Sequence, residues 1–214
     1  MKNDKSTNSV FLQGRIGSEI EYSHDLYGER FYEFKLNVPR LSEHLDVIPV
    51  TAAEGLISSL KEGDYISVIG QFRSFNRPEG ERSRLILSVF AREIKEPIAD
   101  VNPNTSELIG YICKPPIYRT TPFNREICDV LLAVNRAYAK SDYIPCIAWG
   151  KNARLIKNAT VGQKLDVLGR IQSRQYTKRT DDGDTQLRTA YEFSIGAVEF
   201  MQKESEVAST SDEN

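Results

Sequence analysis

The chain contains one unit twice, and this duplication limits what it can fold into more than any other feature of the sequence. The stretch FKLNVPR at residues 34–40 returns as VLLAVNR at 130–136, and Asp46-Val47-Ile48-Pro49 returns as Asp142-Tyr143-Ile144-Pro145, both at an offset of 96 residues. After a short gap the offset becomes 99, and EGDYISVIGQFRS at 62–74 falls on VGQKLDVLGRIQS at 161–173. A unit of about 95 residues is too long for a solenoid repeat and has the size of a small domain. The 214 residues therefore divide into a divergent first unit at 8–97, a linker at 98–106 and a second unit at 107–201. The linker is placed where IADVNPNTSE interrupts the periodic pattern with Asn, Pro and Thr. Residues 202–214 are polar and acidic and are expected to form a disordered tail.

Each unit reads as strands. In the first, Val10-Phe11-Leu12, the alternating run at 34–38, the short apolar run at 47–50, the run at 65–69 ending at Gly70, and the run at 85–89 make about five. A helical stretch interrupts them between the third and fourth, at 53–61 in the first unit and 152–158 in the second, with Gly63 and Gly162 as the stop signals. Five strands with one helix inserted at that point is the layout of an OB-fold, a small Greek-key barrel. The expected class is thus all-β, two OB-folds in tandem; an α+β sandwich of the same elements is the alternative.

Charge separates the two units. The formal net charge is −2, yet residues 8–100 hold 11 Lys and Arg against 15 Asp and Glu, while residues 106–201 hold 14 against 10. An acidic front and a basic back place any polyanion on the second unit. No apolar run approaches the roughly 20 residues of a membrane helix, and the N-terminal MKNDKSTNS lacks the pattern of a secretory signal, so a cytoplasmic chain is expected. Cys113, Cys128 and Cys146 are far apart with no CxxC pair, and only His24 and His44 could add nitrogen ligands, which argues against a metal site. With no nucleophile motif and no phosphate loop either, the chain reads as neither an enzyme nor a cofactor carrier.

The second unit carries a specific likeness. Its AVNR, the block DYIPCIAWGK, the run VGQKLDVLGRIQSR and the final VEF occur in the order and spacing found in bacterial single-stranded DNA-binding proteins, and residues 109–201 closely resemble that family. The first unit resembles it more faintly, through QGRIG at 13–17, LNVPR at 36–40 and VIGQFRS at 68–74. The resemblance implies OB-folds, single-stranded DNA as the ligand, association with the nucleoid, and four barrels acting together. For a chain with two, that means a homodimer. It further implies that Tyr143, Trp149 and Tyr176 stack bases, with Tyr138 a loop candidate.

Binding of unpaired strands without regard to sequence needs flat side chains for the bases and cations for the phosphates. Tyr143 and Trp149 are six residues apart and share a face if the strand is regular, although the run through Cys146 and Ala148 predicts a bulge or bend before Trp149. The alternative is that both rings are core aromatics. Around them stand Arg136, Lys140, Lys151, Arg154, Arg170, Arg174, Lys178 and Arg179, and Arg170, Gln172, Arg174 and Tyr176 alternate along one strand face. Beyond them, TKRTDDGDTQLR reads as a polar hairpin with Asp181, Asp182 and Asp184 at a solvated tip and basic arms; the cluster lacks the later glutamate of a calcium loop.

In the first unit Val47 and Ala53 stand where Tyr143 and Trp149 do, which removes the stacking platform. Arg40, Arg73 and Phe75 remain as candidate contacts, and a mainly structural or assembly role is expected. The tail ends in Asp212, Glu213 and Asn214, where the family carries an apolar tip, so recruitment of other proteins through it is not expected. The leading expectation is sequence-tolerant binding that protects single-stranded DNA in replication, recombination or repair. The alternatives are a specialised OB-fold binder, such as a primosome component or RNA chaperone, and a protein-binding scaffold.

Overall fold

The computed structural model describes residues 6–42, 44–80, 82–179, 183 and 185–202. Among them are twelve strands and two short helices. The first unit holds β1 (Asn8–Ile16), β2 (Glu21–Leu26), β3 (Glu29–Pro39), β4 (Leu45–Ala53), α1 (Glu54–Ile57), β5 (Tyr65–Glu79) and β6 (Arg82–Lys95). The second repeats the order with β7 (Asn104–Ile112), β8 (Ile117–Thr120), β9 (Glu126–Arg136), β10 (Lys140–Trp149), α2 (Gly150–Ile156), β11 (Lys164–Arg179) and β12 (Thr185–Met201).

In each unit five strands close on themselves. β1 pairs with both β3 and β5, β4 runs antiparallel to β3 and parallel to β6, and β6 returns along β5. β7, β9, β10, β12 and β11 repeat this circuit, with Cys146 beside Phe193 in the parallel pair. The expected all-β class is thus met by two OB-folds. Inward residues alternate along every barrel strand, and Leu12, Leu36, Ile48, Val68, Phe72 and Val89 fill one core as Leu108, Leu132, Ile144, Val167, Ile171 and Phe193 fill the other. The register shifts between Ile69 and Gly70 in the β5–β6 pairing and between Leu168 and Gly169 in the β11–β12 pairing, the kind of irregularity that bends a long strand. A Cβ at Gly169 would run into the carbonyl of Ser194, which is why glycine turns this corner.

The structure departs from the sequence expectations in three places. Each unit has a sixth strand, β2 or β8, which the residue pattern hid because these segments are polar or exposed along their length and exist only by pairing with β3 or β9. The turn between β2 and β3 is two residues, Tyr27 and Gly28, both at positive φ (51° and 82°), the geometry that matches strand twist in a tight hairpin. The helices are shorter or shifted relative to 53–61 and 152–158. They close with bonds from the Leu60 N–H to the Ile57 carbonyl and from the Ala159 N–H to the Ile156 carbonyl. Gly63 and Gly162 therefore do not cap them; at φ of 93° and 88° they turn the chain into β5 and β11, their N–H groups bonded to the Ile16 and Ile112 carbonyls. The linker is shorter than 98–106, because β7 already begins at Asn104 and the Gln13 N–H bonds the Pro103 carbonyl. Of the expected tail only Gln202 is described.

The barrels are joined edge to edge by antiparallel pairing of β1 with β7, from Asn8 opposite Leu108 to Leu12 opposite Asn104. Reciprocal polar clamps then cross the seam. The Asp46 carboxylate, 1% exposed, accepts the Ser173 N–H at 2.7 Å, and the Val47 N–H donates to Ser173 Oγ at 3.0 Å. On the other side Asp142 accepts the Ser74 N–H at 2.9 Å, and the Tyr143 N–H donates to Ser74 Oγ at 2.7 Å. Asn8 bonds the backbone of Phe72 in its own barrel as Asn104 bonds that of Ile171. Asp46, Asp142, Ser74 and Ser173 all lie in the stretches that carry the internal repeat.

Candidate nucleic-acid interface

β10 pairs with β9 in unbroken register from Lys140 opposite Arg136 to Trp149 opposite Ile127, so the expected bulge before Trp149 is absent. Cys146 and Ala148 share one parity with Ile144 and all three point into the core, while Tyr143 and Trp149 share the other. The two rings stand 46% and 38% exposed, which rules out the core-aromatic reading. Tyr138 is almost wholly exposed. It sits in the turn between β9 and β10, where Tyr138 and Ala139 both adopt positive φ (62° and 52°), a conformation that bulky residues seldom take and that holds the phenol away from the barrel.

The second wall is the long hairpin of β11 and β12. Arg170, Gln172, Arg174 and Tyr176 occupy alternate positions as expected, the first two half-buried and the last two exposed. The Arg174 guanidinium lies 5.9 Å from the Tyr176 ring centre, within cation–π range. Gln172 donates to Glu192 at 2.7 Å and accepts from Arg170 at 3.3 Å, so this amide ties the row together. Tyr176 lines a groove of about 380 Å³ together with Pro145 of β10, Pro49 and Arg84 of the first barrel, and Arg188. Arg188, the basic residue of the hairpin's second arm, stands directly opposite Tyr176 and lies 3.8 Å from Glu79.

The cations divide into committed and available. Arg40 grips Asp46 with two bonds of 2.6 and 2.8 Å and also reaches the Ser173 carbonyl, Arg170 lies 3.5 Å from the same carboxylate, and Arg136 lies 3.5 Å from Asp142. Arg154 is paired with Glu126. Lys140, Lys151, Arg174 and Arg179 are exposed and have no carboxylate partner among the described residues. The side chain of Lys178 and the aspartates at positions 181, 182 and 184 lie outside the described residues. In the first barrel Val47 and Ala53 are half-buried and offer no ring, whereas Phe75 is 43% exposed. Arg73 stacks over Phe90 at 3.7 Å; burial, then repulsion from Arg136 and Arg92, lowers its guanidinium to about 10, still charged at neutral pH. Burial pushes the Cys146 thiol up, as expected for a core residue.

The model of the single-strand binding protein family matches residues 103–201. Single-stranded DNA-binding protein 2 of Clostridium acetobutylicum is 33% identical over 106 residues, covering 46% of this chain and 77% of the relative. Single-stranded DNA-binding protein 1 of Staphylococcus aureus is 35% identical over 80 residues, 34% of this chain and 48% of the relative, so the chain spans about half the length of that protein. The wild-type single-stranded DNA binding protein from Thermus aquaticus superimposes with a TM-score of 0.68 at 20% identity, over 92% of this chain and 93% of that one, a likeness of fold that takes in both barrels. A match across the whole second barrel, together with a relative covered over most of its length, places this chain in the single-strand binding protein family.

Proposed function

We propose that the chain binds single-stranded DNA without strong sequence preference and protects it during replication, recombination or repair. The observation that carries this reading is the placement of Tyr143 and Trp149 on one solvent face of an unbroken strand. An indole and a phenol left in water lose the burial that would reward them in a core, and become useful when unpaired bases stack on them. Arg174, Lys151, Lys140 and Arg179 supply the neutralising charge. The relatives named as single-stranded DNA-binding proteins support the same ligand.

Trp149 is the chain's single tryptophan, so its fluorescence reports the site directly. Oligothymidine is expected to quench it, and competition by matched RNA should be weaker; tighter binding of RNA would favour the RNA-chaperone alternative, and no quenching at all a protein scaffold. The chain acts in the cytoplasm, at the nucleoid, without chemistry of its own. Two copies associate to bring four barrels together, as the resemblance implies. The sheet face around β1, β7 and β11, with Leu168 half-exposed beside Phe11 and Ala197 over a groove of about 460 Å³, offers that association apolar surface.

A further inference from the structure

The strands at the two ends of the sheet are equivalents in the repeat, yet they carry opposite charge. β2 and β8 close the strand order, each hydrogen-bonded on one side only among the described residues, to β3 and to β9. At the 96-residue offset, residues 18–29 correspond to residues 114–125. The first stretch holds the carboxylates Glu19, Glu21, Asp25 and Glu29 and no Lys or Arg; the second holds Lys114, Arg119 and Arg125 and no carboxylate. All seven side chains are exposed. Arg119 is tied to Asp129 at 2.8 Å, whereas Glu21, Glu29, Lys114 and Arg125 form no ion pair among the described residues. Each end also turns apolar groups to water, Tyr22 and Tyr27 at 56% and 98% exposure on the first, Ile117 and Phe123 at 63% and 88% on the second.

A free strand edge offers unpaired N–H and C=O groups to any other edge, and charge on it is the usual guard against such pairing. Like charges keep β2 from β2 and β8 from β8. Opposite charges leave β2 against β8 as the favoured contact, a choice of partner made by repulsion as well as attraction. A nucleic acid is repelled at β2, and a basic protein would satisfy β2 but not β8; a second copy of this chain satisfies both. The contact is small. β2 has six residues and β8 four, about 20 and 14 Å of strand, so together they bury well under the roughly 1,000 Å² that a stable complex of free partners needs. Two copies held on one strand meet at an effective concentration in the millimolar range, which is what a contact of this size requires.

We propose that the acidic β2 edge of one copy docks on the basic β8 edge of the next, so that copies lying side by side on a long strand join end to end. The contact is head-to-tail and open-ended, and it leaves the sheet face around β1, β7 and β11 to the dimer. The inference rests on the single-strand reading above, which oligothymidine too short for two neighbours tests by itself. On long polythymidine, carbodiimide joins carboxylates to amines in contact, and it should link Glu21 or Glu29 of one full-length copy to Lys114 of another. Mass spectrometry of mixed light and heavy chains reads that link. At limiting protein, gel mobility should show fully coated strands beside bare ones. The variants E21K/E29K and K114E/R125E should each bind the short oligothymidine as the parent does. Their preference for a place beside a bound neighbour should fall about tenfold, because two exposed attractions become repulsions. Combining all four substitutions exchanges the charges of the two edges and should restore the preference. Random coating by the parent, absence of the link, or no recovery in the combined variant would overturn the docking and leave the main reading standing. Weaker binding of the short oligothymidine by K114E/R125E, with E21K/E29K coating as the parent does, would assign β8 to nucleic acid and overturn it too. Failure of the parent to bind the short oligothymidine would overturn both readings.

Discussion

The four candidate rings of the second barrel are oriented by their backbone positions. Tyr143 and Trp149 are outward by strand parity, Tyr138 by a strained turn, and Tyr176 by its place on the hairpin beside a guanidinium. W149A should therefore weaken oligothymidine binding by about 1–3 kcal/mol, measured by anisotropy, with little change in the unfolding midpoint, since the ring is not core. Arg174 has no carboxylate partner among the described residues, so it can release a counterion when a phosphate arrives. R174A should reduce the slope of log affinity against log salt by about 0.7 for each phosphate that the guanidinium neutralises; an unchanged slope would show that Arg174 touches no phosphate. Arg40 and Arg170 looked equivalent to it in sequence but share the buried Asp46, and their substitution should register in stability before it registers in binding.

Among the elements, the repeat turns out to encode a joint as well as a fold. Asp46 and Asp142, Ser74 and Ser173, and Arg40 and Arg136 are identities between the units, and the structure brings them together across the seam. The two halves of the joint differ in strength. Asp46 accepts a backbone N–H, two bonds from the Arg40 guanidinium and a longer one of 3.5 Å from Arg170, whereas Asp142 accepts a backbone N–H and lies 3.5 Å from its one arginine. D46A strands a partly buried guanidinium and a buried N–H and should cost about 3–5 kcal/mol in urea unfolding. D142A should cost less, about 1–3 kcal/mol, the range for leaving one buried donor unsatisfied. Equal costs would mean that the Arg40 pair adds nothing to the seam. The sixth strand of each unit marks the limit of reading elements from pattern: β2 and β8 lack alternation and are strands because a neighbour offers its edge.

At the scale of the molecule, two closed barrels that share an edge pairing form one continuous twelve-stranded sheet. The family resemblance implies a dimer of such chains, and light scattering of the free protein should give twice the monomer mass, unchanged by oligothymidine. A monomer in both conditions would break the link between four barrels and function. The fold class, the duplication and the second-barrel rings were legible because they rest on local facts: alternation of apolar residues, the order of identities, and residue types with few other uses on a solvent face. Which cations remain available was not legible, because a guanidinium is committed or free according to carboxylates up to 124 residues away, as Arg170 is by Asp46. Two OB-folds with outward-facing rings on β10 of the second follow from the order of residues alone, since side-chain parity and strand-forming runs are properties of short segments. The service of Arg40 and Arg136 to the seam, and the place of β2 and β8 as the two outer edges of one sheet, arise only on folding, because they depend on pairings and distances between barrels that no local pattern contains.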